Sequence, residues 1–91
     1  MKFTELVENA WEHLADHSPV NLHYSTSKDK GKLVISIPAP TNLISIEAWD
    51  HNHLDIMIMN QTDKQLLTLC VGYCSTADID MNIKKIEKYL K

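Results

Sequence analysis

The chain has no arginine. All nine of its basic side chains are lysine, set against twelve acids for a formal charge of −3. Bidentate recognition of guanine edges and phosphates uses the guanidinium fork, and an acidic domain is repelled by a polyanion. Nucleic acid is therefore not the expected partner, and a basic protein surface is the better electrostatic match. Glycine occurs only at Gly31 and Gly72, so no glycine-rich phosphate cradle can be written, and nucleotide-dependent chemistry is not expected. No run of about 18 apolar residues is present to span a bilayer. The opening Met1-Lys2-Phe3-Thr4-Glu5-Leu6-Val7-Glu8 places acids where a secretory signal needs unbroken apolar sequence. A cytoplasmic protein without a membrane span is expected.

What is present is ordinary globular material. At 91 residues, 44 % hydrophobic and 23 % charged, the composition fits neither a disordered tail nor a fibrous repeat. A chain of this size hides only about 60 to 65 % of its unfolded surface, enough for one core and one domain over residues 1–91.

Phe3, Leu6, Val7, Ala10, Trp11 and Leu14 recur at three- and four-residue steps and predict a helix over residues 3–17, stopped at Ser18-Pro19. The period then changes to two. Val20, Leu22 and Tyr24 predict a first strand, and Leu33, Ile35 and Ile37 a second beyond the Lys28-Asp29-Lys30-Gly31 turn, ending at Pro38-Ala39-Pro40. Ile44, Ile46 and Ala48 predict a third strand, Leu54, Ile56 and Ile58 a fourth, and Leu67, Leu69 and Val71 a fifth. Ser75 or Thr76 offers an N-cap to a last helix with Ile79, Ile83, Ile86 and Leu90 on one face.

Strand parities agree when Leu22 pairs with Ile37, Ile35 with Ile46, Ile46 with Ile56, and Ile56 with Leu69. The turn between strands three and four then has three residues, Asp50-His51-Asn52, with Asn52 left-handed. The expected fold is α+β, a five-stranded antiparallel meander with the N- and C-terminal helices packed on one face.

Two surfaces stand out as partner-binding candidates. Glu5, Glu8, Glu12 and Asp16 form an acidic ridge on the first helix. Acids at such spacings repel by about 0.2 to 0.5 kcal/mol per pair, so the ridge is either a solvated face or a docking site whose partner relieves the repulsion. On the sheet face away from the helices, the register sets Glu47 opposite Asp55 and Trp49 opposite His53. An indole between carboxylates would receive a partner's lysine or arginine, or else it is a tryptophan lying on a solvated sheet. Asp50 and His53 complete this candidate set. Asp50-His51-Asn52-His53 also has the residue types of a zinc site, but turn residues without a second ligand cluster give no expected metal or other cofactor.

Cys70 and Cys74, four apart in a regular strand, have Cα atoms about 13 Å apart, too far for a disulfide unless the strand ends early. Neither has an evident base or oxyanion donor beside it, so no catalytic residue is expected and the chain is not expected to be an enzyme.

The segment Ile44-Ser45-Ile46-Glu47-Ala48-Trp49-Asp50-His51-Asn52-His53-Leu54-Asp55-Ile56 resembles the central hairpin of the TriTu family of bacterial immunity proteins, where a strand ending in tryptophan and an acid turns into a strand carrying a further acid. The family pattern often has glycine in the turn where this chain has His51-Asn52-His53. The order of elements is also similar over nearly the whole chain. The resemblance implies an antidote that binds and occludes a cognate, basic toxin domain of a polymorphic or contact-dependent inhibition system, without catalysis, as a monomer or weak homodimer. The alternative is a small secretion chaperone or homodimeric adaptor that binds another chain through the open sheet face or an edge strand.

Overall fold

The computed structural model describes residues 2–16, 23, 25–29, 31–38 and 41–89, the side chains of 13–16, 28 and 29 excepted. Along the chain run α1 (Phe3–Asp16), β1 (Ser25–Asp29), β2 (Lys32–Pro38), β3 (Asn42–Trp49), β4 (His53–Asn60), β5 (Leu66–Cys70), a 3-10 turn (Thr76–Asp78) and α2 (Ile79–Glu87). The sheet is an antiparallel meander in the order β1-β2-β3-β4-β5, as expected.

Period-two alternation places Leu33, Ile35, Ile37, Ile44, Ile46, Ala48, Leu54, Ile56 and Ile58 on one buried face. Over it lie Phe3, Val7 and Trp11 of α1 and Ile79, Ile83 and Ile86 of α2, in one continuous core. Each such isoleucine or leucine contributes about 1.5 to 3 kcal/mol through burial, so the sheet–helix contact dominates the fold's energetics. No described helix is long and apolar enough to cross a membrane.

Two of the expected sheet registers hold residue for residue: Ile35 faces Ile46, and Ile46 faces Ile56. Asn52 takes φ 65, which closes the three-residue β3–β4 loop, and Gly31 takes φ 78 between β1 and β2. The outer strands differ from expectation. Val20, Leu22 and Tyr24 lie outside the described residues of β1, as do the Ser18-Pro19 stop, Ala39-Pro40 and Leu90 of the expected elements. Pairing Leu22 with Ile37 requires Thr26 opposite Leu33, whereas Thr26 faces Ile35, a two-residue shift that preserves parity. The described β1, Ser-Thr-Ser-Lys-Asp, supplies no apolar side chain to the core.

The fourth pairing is interrupted by a bulge. Ile58 faces Leu67 and Met57 faces Thr68, but Ile56 faces Cys70, so Leu69 is the additional residue. The shift brings both Leu69 and Cys70 against the core, whereas strict alternation with Leu67 and Leu69 inward would put Cys70 on the open face. Beyond it the chain keeps to the start of β4: Gly72 O accepts from Leu54 N–H (2.9 Å), and Cys74 N–H donates to Asn52 O (2.8 Å). The last helix also starts later than a Ser75 or Thr76 cap implies. Ser75 Oγ instead donates to Asp78 Oδ2 (2.7 Å), and a 3-10 turn intervenes before α2.

Candidate functional site

Among the described residues, the helices cover one face of the sheet. The opposite face has four cross-strand rows, and its register follows directly from the pairings above. At one end Pro38, Leu43, Met59 and Leu66 stand side by side, followed by Ser36, Ser45, Met57 and Thr68. Val34, Glu47 and Asp55 form the next row, and Lys32, Trp49 and His53 the last. All but Pro38, Leu66 and Thr68 of these side chains are half-buried, so the face is partly screened by its own neighbours and offers a field of mixed apolar and charged groups.

The expected juxtapositions are present: Glu47 faces Asp55, and Trp49 faces His53. Their electrostatics differ from the expected receptor for a partner's cation. Lys32 from β2 places its Nζ 5.1 Å from the Trp49 ring centroid and 3.8 Å from Glu47 Oε1. His53 meets the indole edge-on, with centroids 4.6 Å apart, and its Nε2 lies 2.8 Å from Asp55 Oδ1, an ion pair when the imidazole is protonated. Asp55 Oδ1 also accepts the Gly72 N–H at 3.3 Å. The two facing carboxylates thus have separate internal partners, which is how the sheet accommodates a like-charge pair.

An exposed cation–π contact is worth about 0.5 to 1 kcal/mol, and a surface ion pair about 0 to 1. A partner's lysine or arginine at Trp49 therefore competes with Lys32 and gains only a difference between two small terms. Lys32 was missing from the residues singled out in the sequence. It was nonetheless legible there, because the register that pairs Ile35 with Ile46 also pairs Lys32 with Trp49. Val34 and Leu43 on this face follow by the same arithmetic.

Asp50 belongs to a different environment. Its Oδ1 accepts the Thr4 hydroxyl at 2.8 Å and the Thr4 N–H at 3.3 Å, so it caps the start of α1 from the β3–β4 turn. The Thr4 hydroxyl holds the carboxyl below its ordinary value, against a smaller opposing effect of desolvation. This is a structural tether.

The nine candidate residues consequently do not form one surface. Glu5 and Glu12 are exposed and Glu8 half-buried along the outer flank of α1, while the Asp16 side chain lies outside the described residues. That flank is on the helix side of the molecule, and Glu47, Trp49, His53 and Asp55 are on the open side. A flat partner surface meets one set or the other. His51 sits beside the open set, its ring centroid 6.4 Å from Trp49 and 5.7 Å from His53. Among the described residues, no group of three or more His, Cys, Asp or Glu side chains is placed to hold a metal ion.

A second cluster lies where β5 runs into α2. Cys70, Tyr73, Cys74, Asp78, Met81, Asn82 and Lys85 line a shallow cleft. Both cysteines are free thiols, and both line this cleft. The chain leaves strand geometry after Cys70, with Gly72 at φ 107, which removes the basis of the 13 Å expectation. Asn82 Nδ2 donates to Cys74 Sγ at 3.2 Å. Burial raises the pKa of both thiols, disfavouring the thiolate that nucleophilic chemistry requires.

Comparison with protein-family models, curated proteins and solved structures finds no match.

Proposed function

We propose that this chain acts by stoichiometric binding, as an immunity protein of the TriTu type that occludes a cognate secreted toxin domain in the cytoplasm of the producing cell. The observation that carries this reading is the sheet face away from the helices, where half-buried Trp49 adjoins Glu47, His53 and Asp55 and the rows beyond carry Val34, Leu43, Met57 and Met59. An aromatic anchor beside apolar positions, bordered by groups of both signs, has the composition of a protein-binding hot spot. The net charge of −3 favours a basic partner and accelerates its approach.

Of the two acidic surfaces, the open face is assigned the contact and the α1 ridge the steering of encounter. The separating experiment is coexpression with the C-terminal toxin domain encoded by the neighbouring reading frame. Trp49→Ala with Met57→Lys is expected to remove protection by accelerating dissociation. Glu5→Lys with Glu12→Lys slows association and leaves protection at high expression. The reverse pattern would move the contact to α1, and His51→Ala with His53→Ala tests whether the turn histidines contribute.

A further inference from the structure

The two edges of the sheet are built differently. Edge strand β1 is Ser-Thr-Ser-Lys-Asp, polar and charged, the composition by which proteins prevent an edge from pairing with another chain. Edge strand β5 is Leu-Leu-Thr-Leu-Cys. From Gln65 through Ala77 no residue carries a formal charge at neutral pH. Among the described residues, four of the five exposed large apolar side chains fall in this stretch: Leu66 (64 % exposed), Leu67 (43 %), Val71 (66 %) and Tyr73 (79 %), with Met81 of α2 as the fifth. Leu67 is informative because it faces Ile58 on the helix side of the sheet, where a residue at this register should be covered. Helix α2 leaves it open.

We propose that β5 is a homodimer interface, in which two copies join antiparallel through this edge into one ten-stranded sheet. The occupant is a second copy of this chain because of charge. A two-fold contact brings groups near the axis against their own copies, so a segment without charges is the one that a molecule of charge −3 can bring against itself with no like-charge repulsion at the axis. Residues 65–77 are such a segment and β1 is not. With the axis at Thr68, Thr68 faces its counterpart, a favourable cross-strand pair, and Leu67 faces the partner's Leu69 on the helix side. Both leucines are then covered on the side where α2 stops short, and the outward N–H and C=O groups of the edge gain ladder partners. The open faces of the two copies become continuous, so that two Trp49 surfaces are presented on one side. This association is independent of what binds that face.

The test is sedimentation equilibrium of the full chain across the micromolar range, with circular dichroism to verify folding. A reversible dimer is expected, whose dissociation constant changes little between low and high salt because no charges meet across the axis. Thr68→Lys, an exposed substitution, sets two ammonium groups face to face and should weaken the dimer at least about tenfold while the fold is retained. Thr68→Asp should do the same. An equimolar mixture of the two variants should recover dimer, since opposite charges then meet at the axis. A chain that stays monomeric up to high micromolar concentration would overturn the proposal. So would a dimer indifferent to both substitutions, or variants that weaken self-association but are not rescued on mixing.

Discussion

The Asp50 carboxylate and the start of α1 are joined through Thr4, 46 residues away in sequence, by two hydrogen bonds to a single oxygen. On its other side, Asp50 N–H donates to Gly31 O at 2.9 Å, so one turn residue fastens the first helix and the β1–β2 turn together. Lowering of the Asp50 pKa makes this tether pH-dependent. A depressed folded-state pKa contributes stability that is fully present above the unfolded value of about 3.9 and is lost as pH falls through the folded value. Thr4→Val is expected to lower the melting temperature at pH 7, and Asp50→Asn to flatten the acid limb of the stability–pH curve. An unchanged acid limb in Asp50→Asn would show that the tether does not form.

Gly31 is expected to resist substitution for a related reason. Its φ of 78 is costly for any L side chain, and a Cβ there would lie 2.9 Å from Asp50 Oδ2, an atom whose carboxylate is already held by Thr4. Gly31→Ala should destabilise by more than about 1 kcal/mol in urea unfolding. Part of that loss should disappear in an Asp50→Ala background, where the contacted oxygen is gone. At Gly72 a Cβ meets nothing within 4 Å, so Gly72→Ala should show backbone strain alone and no such coupling.

Removing Lys32 tests the internal cation at Trp49. Lys32→Ala should change stability by less than about 1 kcal/mol. It should also make the indole more accessible to acrylamide quenching. Trp11 is fully buried and supplies a constant background. A variant with unchanged quenching would show that Lys32 does not cover the ring.

Ile46, central in β3 and fully buried, is a core anchor. Ile46→Ala should cost about 2 to 5 kcal/mol by chemical denaturation, several times the largest surface-pair effect. A loss below about 1 kcal/mol would mean that the core is not packed as described.

The thiols provide a pH test. Because burial raises both pKa values above the ordinary 9.0, alkylation by iodoacetamide should be slow at pH 7 and should still be accelerating at pH 9. Cys70 should react before Cys74, which is only 4 % exposed. Rapid labelling of Cys74 at neutral pH would contradict its place in the core.

The parts of the fold that were legible in sequence are those where one face is buried without interruption. Ile35, Ile46 and Ile56 fix β2, β3 and β4 because a one-residue slip would turn the fully buried side chains of these strands to the open face. That constraint fades at the margins. Leu67 and Leu69 alternate as if β5 were regular, yet a bulge costs little on an exposed edge, and nothing in the alternation marks it. The Glu47–Asp55 and Trp49–His53 pairs were legible for the same reason as the register, whereas the role of Asp50 was not. Its partner Thr4 is reached only once α1 has docked, and a contact over that separation leaves no periodic trace in sequence.

The meander order has a kinetic consequence. Each strand pairs with the strand next in the chain, so the whole sheet can be assembled by closing short turns, the shortest being the two residues between β1 and β2. Loop-closure entropy is then small at every step, and the rate of reaching the native topology should be high for a protein so rich in β-structure, nearer milliseconds than seconds. The step with large sequence separation is the docking of α1, whose Phe3, Val7 and Trp11 must find a face that β2, β3 and β4 have already made. Core substitutions in the β3–β4 hairpin should therefore slow folding, while the loss of the Thr4 hydroxyl should act mainly by speeding unfolding.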